Sequence, residues 1–117
     1  MPQMPLDDLA QLLRAFAAER DWDRFHSPKN LAMALTGEAG ELAAEFQWLT
    51  EEESQNPDPA QRERIQNEAA DVLLYLIRIA DKLQFDLLAS AHNKVKKNAE
   101  KYPAGKVRGS ARKYNEY

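Results

Sequence analysis

The amino-acid sequence predicts an all-α fold of the four-helix-bundle type, and three observations lead there. Apolar residues recur at helical spacing in four separate stretches. Ser27-Pro28 and Asp58-Pro59 place a capping side chain directly before a proline, the arrangement that opens helices. Only four glycines and few β-branched residues leave little material for an all-β chain. At 117 residues the chain has room for one domain, 1–117, with one core.

Leu6, Leu9, Leu12, Leu13 and Phe16 mark a first helix over residues 6–20. The second follows its Ser27 cap and runs over 28–49 on the stripe Leu31, Leu35, Leu42, Phe46 and Leu49. The stretch 50–56, with three consecutive glutamates, reads as a solvated loop. Asp58 with Gln61 three residues on forms a capping-box pattern for a third helix, 59–83. Ile65, Val72, Leu73, Leu76, Ile77, Ile79, Ala80 and Leu83 make its second half apolar nearly all round, interrupted by Arg78 and Asp81. It is therefore expected to be the most buried element. Asp86 caps a fourth helix through Leu87, Leu88, Ala91 and Val95, stopped near Tyr102 by Pro103 and Gly105. A basic, weakly patterned tail occupies 104–117.

Sixteen Lys/Arg against nineteen Asp/Glu leave a net charge of −3, which supplies no field for a nucleic-acid polymer. The absence of cysteine removes disulfides, thiolate zinc sites and thiol nucleophiles, and fits a reducing cytoplasm. The longest strongly apolar run, 72–77, falls far short of the ~18 residues a membrane span needs, and the first residues do not resemble a signal peptide. A cytoplasmic protein without a membrane partner is expected.

Several acids stand where leucines would be expected. On a helical wheel with Glu38 at zero, Glu41 falls at roughly −60° and Glu45 at roughly −20°, while Leu31, Leu42, Leu35 and Phe46 fall between roughly +20° and +80°. With Glu68 at zero, Asp71 lies at roughly −60° and Tyr75 at roughly −20°, beside Ile79, Val72, Ile65 and Leu83 at roughly +20° to +60°. Two helices thus each aim a carboxylate pair, spaced i and i+3, at the edge of their core-facing stripe. Like charges brought together there must be neutralised or protonated. Few cations share those wheel positions, so a divalent metal is the economical partner. Oxygen-only ligands suit Mg²⁺ or Mn²⁺, and such an ion usually completes its shell with water and substrate phosphate. The chemistry suggested is metal-assisted hydrolysis of a phosphoanhydride. A di-iron bundle would want Glu-x-x-His units, and Asp23 and Ala89 stand three residues before His26 and His92.

Other residues become candidates on that premise. Trp22 and Trp48, by default packing anchors, are able to stack a nucleobase. His26, just before the Ser27 cap, is placed to hydrogen-bond a base or a phosphate. Lys94 and Asn98 share a helix face, with Tyr102 one turn on, and offer phosphate contacts.

Gly37-Glu38-Ala39-Gly40-Glu41-Leu42 and Glu68-Ala69-Ala70-Asp71-Val72-Leu73 resemble the Glu-x-x-Glu and Glu-x-x-Asp signature of the MazG-like nucleoside triphosphate pyrophosphohydrolases. Phe16-Ala17-Ala18-Glu19-Arg20-Asp21-Trp22, Phe25-His26, Asn30-Leu31, Phe46-Gln47-Trp48, Tyr102-Pro103 and Arg112-Lys113-Tyr114 are similar to the dCTP pyrophosphatase branch in order and spacing. The resemblance covers 6–117. It implies a MazG-type fold and Mg²⁺-dependent conversion of a dNTP, dCTP foremost, to dNMP and pyrophosphate. A homotetramer built as a dimer of dimers is implied as well. Glu38, Glu41, Glu68 and Asp71 would be metal ligands. Trp22 and Trp48 would flank the base with His26 nearby, and Tyr75, Lys94 and Asn98 would meet sugar or phosphate. A first-helix histidine that contacts the base in animal members appears here as Leu13. Either Glu41 or Glu45 would orient or deprotonate the attacking water. The rival readings are a non-catalytic helical module with an acidic groove, and the same chemistry on dUTP or another pyrimidine nucleotide. A four-helix chain this short, with so apolar a third helix, calls for partner subunits in either case.

Overall fold

The computed structural model describes residues 6–109. Four long helices start where the sequence places them: α1 over Leu6–Glu19, α2 over Pro28–Ala44, α4 over Pro59–Leu83 and α5 over Leu87–Lys101. Two short ones, α3 over Glu51–Gln55 and α6 over Ala104–Val107, accompany them, with a 3-10 turn at Asp23–Phe25. The described residues contain no strand, so the all-α class holds. None of the described helices is long and apolar enough to cross a membrane.

The caps form as their residue types dictate. The Ser27 hydroxyl accepts the Asn30 N–H at 3.1 Å, and the Asp58 carboxylate accepts that of Gln61 at 2.9 Å. The Asp86 carboxylate accepts the Ala89 N–H at 3.0 Å. Only half of the box expected at Asp58 forms, because the Gln61 amide reaches across to the Glu45 carbonyl at 3.0 Å. α2 accordingly stops at Ala44, short of the predicted 49, and tightens into three-residue turns with Glu45 N–H on Leu42 O and Phe46 N–H on Ala43 O.

The expected loop at 50–56 is corrected by α3. Thr50 accepts from the Glu53 N–H at 3.1 Å while Glu53 accepts from the Thr50 N–H at 2.9 Å, a complete capping box. The glutamate run sits in the first turn, where exposed N–H groups favour negative charge. Those hydrogen bonds hold the Glu53 carboxyl below its ordinary range.

The chain forms two compact units, one ending at Gln84 and one beginning at Phe85. In the first, α1 and α2 both pack on α4. Its buried apolar residues are Ala10, Ala17, Leu31, Ile77 and Ala80. α1 therefore approaches α4 through two alanines seven residues apart, and Leu12 and Phe16 of its predicted stripe stay exposed. The second half of α4 is less buried than predicted: Ile77 and Ala80 are enclosed, but Leu73 and Leu83 are exposed. Of its charged interruptions Arg78 and Asp81, Arg78 is buried. In the second unit, α5 leaves Leu88 and Val95 exposed.

Candidate functional site

α2 and α4 bring together three of the carboxylates expected to converge. One oxygen each from Glu38, Glu41 and Glu68 lies within 4.8 Å of the other two. Glu38 and Glu68 are half-buried and Glu41 is exposed. Oε2 of Glu38 and Oε2 of Glu68 are enclosed without a hydrogen-bond partner. No ion pair among the described residues neutralises any of the three. Burial, then the charges of Glu41 and Asp71, raise the Glu38 carboxyl above its ordinary value of 4.5. Burial also leads the upward shift of Glu68, followed by Glu41, Glu38 and Asp71. Acids this close share protons when no cation lies among them. Orphaned buried oxygens on an all-carboxylate donor set fit a hard divalent cation.

Asp71 lies one turn beyond Glu68 on α4, outside that trio, and its charge still reaches both buried acids. Glu45 is held apart. Its Oε1 accepts from Nε of Arg64 at 3.0 Å, and its backbone carbonyl takes the Gln61 amide.

Asp71 also lines a mostly apolar cavity of about 320 Å³. Leu13 and Phe16 of α1, Trp22, His26, and Tyr75 and Arg78 of α4 form much of the remaining wall. The Trp22 and Phe16 rings meet edge to face, 5.7 Å apart at 66°. The Arg20 guanidinium covers Phe16 at 3.6 Å from its centroid. Trp22 and His26, expected at the base, Tyr75, expected at sugar or phosphate, and Asp71, expected at the metal, thus line one space. Trp48 does not line it; this indole is 87% exposed. Lys94, Asn98 and Tyr102 belong to the second unit, where Lys94 and Asn98 are exposed and Tyr102 closes α5 through its N–H on Asn98 O at 2.8 Å. Arg112, Lys113 and Tyr114 lie outside the described residues.

Arg78 is the site residue that sequence reasoning passed over. Only 4% exposed, it donates from Nη2 to Oδ1 of Asp23 at 3.1 Å and lies 3.2 Å from Nδ1 of His26. Lys82 donates to the same Asp23 oxygen at 2.7 Å, and Arg14 pairs with Asp81 at 2.8 Å. Arg14, Asp23, Arg78, Asp81 and Lys82 line a polar cavity of about 330 Å³. The hydrogen bonds from Lys82 and Arg78 hold Asp23 below its ordinary value. His26 is pushed below 6.5 by burial first, then by Arg78 and Lys82, with Asp23 opposing. One signal was present in the sequence: an arginine inside an apolar helical stretch needs partners on a neighbouring segment, and Asp23 and His26 follow α1.

A family model described as the MazG-like family matches residues 34–117. dCTP pyrophosphatase 1 of Homo sapiens is 45% identical over 117 residues, spanning 98% of this chain and 69% of that protein. Its Rattus norvegicus counterpart is 44% identical over the same shares. A crystal structure of a pyrophosphatase from Archaeoglobus fulgidus shares the fold with a TM-score of 0.79 and 32% identity, over 88% of this chain and 96% of that one. The matched segment contains Glu38, Glu41, Glu68 and Asp71, and the likeness runs through nearly the whole sequence: the chain belongs to the MazG-like family.

Proposed function

We propose that this member of the family is a Mg²⁺-dependent nucleoside triphosphate pyrophosphohydrolase, acting on dCTP or a base-modified dCTP to give the nucleoside monophosphate and pyrophosphate. That it is a nucleotide diphosphatase rests on relatives alike over nearly the whole chain. The observation that carries the rest is spatial. A cluster of unneutralised acids, Glu38, Glu41 and Glu68, lies beside an aromatic-walled cavity, and Asp71 belongs to both surroundings.

Glu38, Glu41, Glu68 and Asp71 would hold the metal, for which Mn²⁺ is an acceptable substitute. An ion held by these residues would supply positive charge against the phosphates and make the attacking water more acidic. Of the two candidates for orienting and deprotonating the attacking water, Glu41 is the better placed, because Arg64 engages Glu45. Water adds to phosphorus as the bond between the α and β phosphates breaks, and its proton passes to the carboxylate. Trp22, Tyr75 and His26 enclose the base and sugar. Lys94, Asn98 and Tyr102 are our candidates for phosphate and sugar contacts, and Trp48 for a cover over the base, within a homotetramer. Exposed apolar side chains such as Met33 and Trp48 support that assembly.

A second reading, the same chemistry on another pyrimidine nucleotide, is favoured by Leu13. It lines the cavity where the resemblance calls for a base-contacting histidine, and so offers an apolar wall to a substituent on the ring. Pyrophosphate release should be measured over the four dNTPs, dUTP and 5-substituted dCTPs, with Mg²⁺ and with EDTA. Metal-dependent release, strongest with a cytosine nucleotide, is expected. Release that persists in EDTA would remove the metal assignment, and release from none of them would leave the non-catalytic module.

A further inference from the structure

Arg78 carries a permanent positive charge and has only donors to offer. Its Nη2 lies 3.2 Å from Nδ1 of His26. That contact leaves one arrangement of the imidazole. Nδ1 must present its lone pair, and the ring proton must sit on Nε2. An imidazolium would set a second N–H and a second charge against the guanidinium. The same Nη2 also donates to Asp23, itself shared with Lys82, and Asp81 stands 3.9 Å from Nη1. Meanwhile the His26 ring lines the cavity that also contains Trp22 and Tyr75. With Nδ1 engaged, Nε2–H is the ring's polar atom for any ligand there.

We infer that Arg78 is a positioning residue for substrate choice: through Nδ1 it makes His26 a fixed donor, and the cavity thereby selects a nucleobase that turns an acceptor edge toward it. Cytosine presents the N3 lone pair beside the O2 carbonyl, whereas uracil and thymine carry a proton on N3. A donor in a half-enclosed site that faces another N–H loses its hydrogen bond and the desolvation it has undergone. The selection rests on the nucleotide reading above; the Arg78–His26 contact does not.

Full-length protein labelled with ¹⁵N-histidine tests the contact directly. His26→Asn identifies the His26 resonances by their loss. At neutral pH the wild type should show Nδ1 in the unprotonated range and Nε2 in the protonated range, and in Arg78→Met the two should move toward each other. The preference for dCTP over dUTP in kcat/KM should fall about tenfold in Arg78→Met, chiefly through KM for dCTP, the size expected for one lost hydrogen bond. Arg78→Lys, which keeps a charged donor, should restore part of it. A wild-type Nδ1 that carries the proton overturns the inference, as does an Arg78→Met variant with unchanged shifts and preference. Should Arg78→Met fail to fold, 3-deaza-dCTP, with C–H in place of the ring N3, gives the answer on the wild type. A KM about tenfold above that of dCTP is expected, and equal values overturn the selection. Absence of pyrophosphate release from any dNTP overturns the nucleotide reading and the selection together, while the ¹⁵N shifts still report on Arg78 and His26.

Discussion

At Glu38 and Glu68, burial and the charges of neighbouring acids act in the same direction, and both carboxyls are raised above 4.5. A carboxyl with a raised folded-state pKa binds more protons folded than unfolded. The metal-free protein therefore keeps the full benefit below about the unfolded value and loses it as pH climbs through the folded midpoints. Mg²⁺ should remove that loss. Thermal unfolding followed from acid to neutral pH, with EDTA and with Mg²⁺, checks this; coincident curves would count against a cation among these acids. Glu38→Gln and Asp71→Asn should each lower kcat by roughly 10²-fold or more while the helical circular dichroism is unchanged. His26 has the opposite sign. Its midpoint lies below 6.5, so the unfolded chain binds the extra proton and stability falls as pH drops from about 6.5 through the folded midpoint. An imidazole titration by NMR with a midpoint above 6.5 would contradict the burial and Arg78 contact described for it.

The helices are governed by two kinds of information. Caps are local: Ser27, Asp58 and Asp86 act on N–H groups three residues away, so the starts of α2, α4 and α5 are legible in sequence. The Thr50-Glu53 box was equally legible and was obscured by the glutamate run around it. The end of α2 was not legible. Its apolar pattern continues to Leu49, but Gln61 of α4 satisfies the Glu45 carbonyl, and that contact spans sixteen residues of chain. α2 packs on α4, and Leu31 of α2 is 1% exposed. Leu31→Ala should cost about 2–5 kcal/mol in chemical denaturation, the range for a fully enclosed leucine. A change under 1 kcal/mol would place that side chain in a yielding environment.

For the molecule as a whole, the short list of enclosed apolar residues stands against large apolar side chains left in contact with water. Met33 is 66% and Trp48 87% exposed in the first unit, and Val95 is 68% exposed in the second. Side chains of this kind are ones the proposed homotetramer would cover. Sedimentation equilibrium should give four times the chain mass, dissociating on dilution. Trp48→Ala should raise KM for the nucleotide about tenfold, as loss of one stacking partner does, with metal affinity unchanged. A monomer with full activity would exclude both the tetramer and the role of Trp48 in it.

The four long helices, their starts and the i, i+3 spacing of the two carboxylate pairs were determined by the sequence alone. Those features depend on residue type and on spacings of three or four along a helix. Which acids meet, that Glu45 is drawn off by Arg64, that alanines and not leucines seat α1, and that Arg78 is enclosed against Asp23 and His26 were decided by tertiary structure. Each of these depends on groups from separate helices or turns arriving at one place, and helical periodicity carries no information about the partner across the gap.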